Sequence, residues 1–395
     1  MTYLTNPLLG AVATPPVAEV QGWIADRRFP PDAPLLDVSQ AVPGYPPDPS
    51  LNRHLAAVVG DPDSARYTEI TGTPALRRAL AAHTAALYGA TVEAGQVCIT
   101  AGCNQAFCLA IMGLAGAGDE VILPLPYYFN HRMWLDMMGV KPVYLPFRPE
   151  AGGIPEPAAL AALITPRTRA IALISPNNPT GAIYPPKAME AYFEVAKAHD
   201  VALVVDETYR DFITRDGDGD APPHGLFARP DWRGTLVHLY SFSKVYCLTG
   251  YRVGAVIAGS ALLGEIAKAA DCVAICAPAI GQRAVLYGIE NLAQWRRDKR
   301  GLMADRLEAL RLAFRRNDLD YELVSSGAYF AYLRHPFGDQ QSADVARRLA
   351  DDHNVLCMPG GMFGPDQEPY LRFAFANLEA ELMPALAERL VESQG

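Results

Sequence analysis

Apolar positions in this chain fall into short continuous runs separated by stretches of helical spacing. From about residue 75 the two patterns alternate. Helical periodicity over 75–88 leads into a strand-like run at 97–100 (Val-Cys-Ile-Thr), and a helix over 104–115 precedes a strand at 120–123. The pattern then predicts a helix near 129–138, a strand at 142–145, a helix near 156–164 and a strand at 169–174. A helix over 186–199 precedes a strand at 201–205, and further strands are predicted at 235–240 and 252–258. Short β-rich runs that are apolar throughout are strands covered on both faces. Alternating with helices, they imply an α/β fold with a largely parallel central sheet. After about residue 285 a long charged helix (290–316) is followed by strand-like runs at 328–333 and 370–375 and a closing helix. This reads as a smaller α+β domain. Residues 1 to about 50 are rich in Pro and Gly, with one short strand-like run at Leu35–Val38. Chain ends often pack near one another, so the division expected is a large domain over 45–285 and a small one made of 1–44 and 286–395.

The length, 395 residues, suits two or three domains at ~150 residues each. With 34 basic and 43 acidic residues the chain carries a net charge of −9. That balance argues against nucleic acid as a partner, so any anionic ligand must be met by a few local arginines. Seven scattered cysteines with no Cys-x-x-Cys pair match no zinc pattern and suit reduced thiols in the cytoplasm. No signal peptide and no membrane span is read, so no membrane partner is expected. The acidic run Asp216–Asp220 fails as a calcium loop. Ala221 and Phe227 stand where that loop needs Gly and Glu, so a solvated surface loop is expected.

In an open α/β sheet, ligands bind beyond the carboxyl ends of the strands. Four strand ends carry chemistry. The first is followed by Ala101-Gly102-Cys103-Asn104, which opens a helix; another is followed by Ser175-Pro-Asn177-Asn178-Pro-Thr-Gly181. A third gives Asp206-Glu-Thr-Tyr209, and a fourth gives Ser241-Phe-Ser243-Lys244, with Gly250-Tyr-Arg252-Val-Gly254 beyond it. Each alone has an ordinary reading as turn, cap, ion pair or surface charge. A dinucleotide fingerprint is not met, because Gly113, Gly116 and Gly118 end a helix rather than open one. The Gly-x-Ser-x-Gly of serine hydrolases is absent.

Taken together and in this order, Asn-Pro-Thr-Gly, Asp-x-x-Tyr, Ser-x-Ser-Lys and Gly-x-Arg-x-Gly resemble the class I/II, fold-type I aminotransferases, which use pyridoxal 5′-phosphate. The resemblance takes in Tyr67 and the C-terminal run Tyr370-Leu-Arg372-Phe-Ala-Phe-Ala-Asn377. It implies that Lys244 is the Schiff-base lysine and proton shuttle. It implies that Asp206 keeps the ring nitrogen protonated, that Asn178 and Tyr209 bond the phenolic oxygen, and that Tyr128 stacks on the ring. His131 aligns with a family histidine that supports the aspartate; a plain surface histidine is the other reading. The phosphate is expected at Gly102, Cys103, Asn104, Ser241, Ser243 and Arg252, with Tyr67 reaching it from the other subunit of a homodimer. Arg372 resembles the residue that grips the substrate α-carboxylate, with Ala41, Val42 and Asn178 beside the substrate. No second arginine can be assigned to a side-chain carboxylate, so neutral or aromatic amino acids, paired with a 2-oxo acid, are expected. Within the same fold a carbon–sulfur β-lyase is the rival, and a non-catalytic cofactor-binding regulatory module a more distant one.

Overall fold

The computed structural model describes residues 3–214 and 221–395; the acidic run at 216–220 lies outside them. Its centre is a seven-stranded sheet in the order Val97–Thr100, Gly254–Ile257, Leu236–Ser241, Ala202–Asp206, Thr168–Ile174, Glu120–Pro124, Lys141–Leu145. All neighbours are parallel except Gly254–Ile257, which runs antiparallel to both of its partners. The inner strands are buried along almost their whole length, as expected where helices cover both faces. One face packs against helices that include Pro74–Tyr88, Pro186–Ala198 and Ala279–Asn291, and the other against Cys103–Leu114 and Ser260–Ala274.

The second sheet has four antiparallel strands in the order Met358–Pro359, Tyr370–Phe373, Phe330–Arg334, Glu322–Gly327. Helices Ala293–Ala313, Ser342–His353 and Met383–Glu392 share its core. The N-terminal run Leu36–Asp37 pairs in parallel with Val355–Leu356, which brings the first forty residues against the last fifty.

The seven strands of the main sheet lie where the apolar runs predict them. Several elements do not. The helix expected over 290–316 is Ala293–Ala313; Leu292, non-helical and buried, divides it from a preceding helix, Ala279–Asn291, that the pattern does not predict. The strand expected from residue 252 starts at Gly254, because Arg252 has a left-handed backbone (φ 52°). Helices Pro49–Val59, Ser260–Ala274 and Ser342–His353 and strand Glu322–Gly327 were not anticipated. Among the described residues no helix is long and apolar enough to cross a membrane.

Candidate active site

The carboxyl ends of the central strands open onto one pocket of about 530 Å³. It is lined by Cys103, Asn104, Tyr128, Asn178, Asp206, Tyr209, Ser241, Ser243, Lys244 and Arg252, brought together from six separate segments of the chain.

Gly102 caps the helix Cys103–Leu114 at φ 88°. A side chain there would collide with the Arg252 guanidinium, only 2.3 Å from the position of a Cβ. The glycine therefore lets Arg252 lie across the helix start, where the first N–H groups have no partner within the helix. Positive charge and free donors in one place form an anion cradle. Arg252 itself is steadied by the Thr249 carbonyl at 3.0 Å. Ser241 caps the short helix Phe242–Val245 by accepting from Ser243 N at 3.2 Å, and that turn presents Lys244.

Asp206 ends its strand and is buried. Its Oδ1 accepts from Thr208 N at 2.9 Å, while Oδ2 lies 3.4 Å from Cys103 Sγ and 3.7 Å from His131 Nε2. His131 is 3% exposed and stacked on Phe107 at 3.7 Å, so it is not a surface histidine. Burial pushes its pKa down to about 3, leaving a neutral ring. With no cation beside it, the Asp206 carboxyl is raised above its usual range by desolvation. It is a buried acid short of a positively charged partner.

Among the described residues Lys244 lacks a carboxylate partner too. Its Nζ donates to the Ala41 carbonyl, and burial, followed by the charges of Arg372 and Arg252, brings its pKa down to about 8. Arg372 is 2% exposed and bonds only neutral acceptors, Asn178 Oδ1 at 3.3 Å and the Ser39 carbonyl. Its Nε has no partner, Phe330 and Phe363 flank it at 5.1 and 5.3 Å, and burial lowers its pKa to about 10. A buried guanidinium without a carboxylate is built to receive one.

Of the residues expected here, Ala41 contributes its carbonyl rather than its side chain to the contact with Lys244. Val42 lines the pocket, and Gln40, Ile174, Thr208, Thr249 and Gly250 line it without having been anticipated. Asn377 was read only as part of a motif. Its side chain accepts from Val42 N at 3.1 Å and donates to the carbonyls of Asp37 and Gln40 at 3.1 and 2.5 Å, holding the substrate-side loop. Tyr67 stands apart, 78% exposed and outside the pocket of its own chain. Asn177 builds the turn that presents Asn178, accepting from Thr180 N and Oγ1 at 3.0 and 2.9 Å.

The family described as aminotransferase class I and II matches residues 48–390. This chain belongs to that family. An arginine–pyruvate transaminase of Pseudomonas aeruginosa is 32% identical over 338 residues, covering 83% of this chain and 82% of its own. An aromatic aminotransferase of Arabidopsis thaliana is 28% identical over 382 residues, covering 95% and 92%. In fold, aspartate aminotransferase from Thermus thermophilus with maleate superposes with a TM-score of 0.89 at 24% identity, covering 99% of this chain and all of that one. The protein is thus a pyridoxal phosphate-dependent aminotransferase of fold type I. The aminotransferase pocket fits that cofactor on three counts: an anion cradle for a phosphate, a buried acid lacking a cation, and a lysine lacking a carboxylate.

Proposed function

We propose that this aminotransferase moves the amino group of a neutral or aromatic L-amino acid to a 2-oxo acid, with Lys244 carrying the cofactor. The observation that carries the substrate reading is the shortage of cations. Among the described residues the cations lining the pocket are Lys244 and Arg252, the latter over the helix start, and Arg372 stands behind the lining residue Asn178, where it would meet the α-carboxylate. A substrate side chain would meet Val42, Ile174 and Tyr128, which are apolar or aromatic, together with the neutral Gln40. The named activities of the relatives differ from one another, so they leave this choice to the pocket.

When bound, pyridoxal phosphate supplies an electron sink for the bond electrons released at the substrate α-carbon. The chain's residues do the rest. Asp206 holds a proton at the ring nitrogen, and that proton supplies the positive partner the buried carboxyl lacks. Asn178 and Tyr209 would bond the phenolic oxygen, and Tyr128 would cover the ring. The helix start at Gly102–Asn104, with Ser241, Ser243 and Arg252, binds the phosphate. Arg372 grips the α-carboxylate as a fork, which fixes the orientation of the α-hydrogen. Lys244 would take that proton from the α-carbon and return it to the carbon on the far side of the amino nitrogen. Burial, which brings its pKa down to about 8, favours the neutral amine able to accept it. Tyr67 completes the phosphate site across a homodimer, a reading supported by its exposure. Seven free cysteines support a cytoplasmic location.

The test is kcat/KM for aspartate, alanine, methionine and phenylalanine with one common acceptor. Phenylalanine or methionine should lead. A clear preference for aspartate would overturn the pocket reading. Borohydride reduction of the holoenzyme should fix the cofactor to the peptide containing Lys244; a label on another lysine would remove that residue from its role.

A further inference from the structure

The expectation at Cys103 is a backbone N–H that meets the phosphate. Its backbone does belong to the helix start, but its side chain turns beneath the cradle. The thiol lies 3.4 Å from Asp206 Oδ2 and is almost fully buried. Its backbone is pinned there, because a Cβ on Gly254 would come within 2.6 Å of Cys103 N. One turn along the same helix, Phe107 stacks on His131, and His131 Nε2 approaches the same carboxylate oxygen at 3.7 Å. One helix face thus reaches Asp206 twice, directly through Cys103 and indirectly through Phe107 and His131.

Apart from the like charge of neighbouring Glu207, which adds to the rise of its pKa, the groups touching Asp206 are neutral. Thr208 donates from its backbone to Oδ1, and its hydroxyl also bonds the carboxylate. Glu207, next in the chain, is spoken for by His238 at 2.8 Å and His224 at 3.2 Å. No lysine or arginine nitrogen lies within ion-pair distance of Asp206 among the described residues. The thiol keeps its proton, since burial and the carboxylate beside it both oppose ionisation. It is therefore a donor, although a weak one.

We propose that Cys103 is a positioning residue for Asp206: its thiol donates to Oδ2 and limits how firmly that carboxylate holds the proton on the cofactor's ring nitrogen. This rests on the reading of Asp206 given above. A donor to a carboxylate stabilises its charged form and makes it a poorer base. Removing the donor leaves Asp206 more basic, and the shared proton is then pinned more firmly between carboxylate and ring.

The readout is the 15N resonance of the ring nitrogen in holoenzyme loaded with 15N-labelled pyridoxal phosphate. In Cys103→Ala it should move toward the protonated-pyridinium limit relative to wild type. In Cys103→Ser, which restores a donor, it should return to the wild-type position or pass it. Cofactor Kd, measured on the apoprotein, should be lower in the alanine than in the serine variant by about 2- to 10-fold, the scale of one modest hydrogen bond. Coincident resonances in all three proteins would overturn the proposal, as would equal losses of cofactor affinity and Tm in both variants with no ordered shift. Asp206→Asn separates the two levels of the argument. It should send the resonance to the unprotonated limit, and a resonance that stays put would overturn the Asp206 reading and the cysteine proposal with it.

Discussion

Lys244 and Arg372 are cations held without a carboxylate, and each makes a measurable statement. The ammonium of Lys244 is disfavoured by burial and by two guanidinium neighbours, so its pKa falls from 10.5 to about 8. Between those values the folded apoprotein has released a proton that the unfolded chain still binds. Stability contributed at this position therefore rises with pH through that window. Urea unfolding of apoprotein at pH 8 and pH 10 should show wild type gaining on Lys244→Met as pH rises; parallel changes in both would show that the amine is not depressed. The same variant should bind the cofactor only noncovalently and should not turn over. Arg372→Ala should lose roughly 30- to several-thousand-fold in kcat/KM, the ~2–5 kcal/mol of a buried charge-assisted pair. Amino donor and 2-oxo acceptor both carry the carboxylate, so both half-reactions should suffer alike. Arg372→Lys should not restore them, because an ammonium cannot form the planar fork. A loss confined to one half-reaction would place the arginine elsewhere in the chemistry.

The elements of the main sheet were legible because a strand buried on both faces has no polar option at alternate positions, and runs such as Val121–Leu123 or Leu203–Val205 say so directly. Each strand end carries a candidate with an ordinary reading of its own, and the roles of Asp206, Lys244 and Arg252 were legible only through the resemblance of the whole ordered set to the aminotransferases. Other features were not legible for equally physical reasons. Glu322–Gly327 is only half-buried along most of its length and carries two serines, so its pattern resembles a loop. Gln40 reaches the pocket through tertiary packing that no local spacing records. The side-chain direction of Cys103 depends on a strand that arrives 150 residues later. That strand also yields a prediction. A Cβ on Gly254 would sit 2.6 Å from both Cys103 N and Gly102 C, and 2.9 Å from the Tyr240 carbonyl, all backbone atoms with no room to move. Gly254→Ala should therefore push the helix start away from Arg252 and weaken cofactor binding by an order of magnitude or more, while far-ultraviolet dichroism stays close to wild type. Unchanged affinity would mean that the cradle tolerates a shift.

On the scale of the whole molecule, the proposal that Tyr67 serves the phosphate site of another copy is supported by its exposure, 78%, away from the pocket of its own chain. Tyr67→Phe should weaken cofactor binding by about 10- to 100-fold, as expected for a hydrogen bond to a charged group. Mixing it with Lys244→Ala should rebuild one complete site in each heterodimer and recover activity. No recovery would mean that Tyr67 acts within its own chain or not at all. The closure of the fold has a different consequence. Leu36 pairs with Val355, Val42 is held by Asn377, and Ser39 and Arg372 meet across 333 residues of sequence. The cofactor end of the site, by contrast, is assembled from residues between Gly102 and Gly254. On the ribosome the large sheet can therefore form while the first forty residues still lack a partner. The end of the site that holds Ser39, Val42 and Arg372 takes shape only when the last sixth of the chain has emerged to receive them.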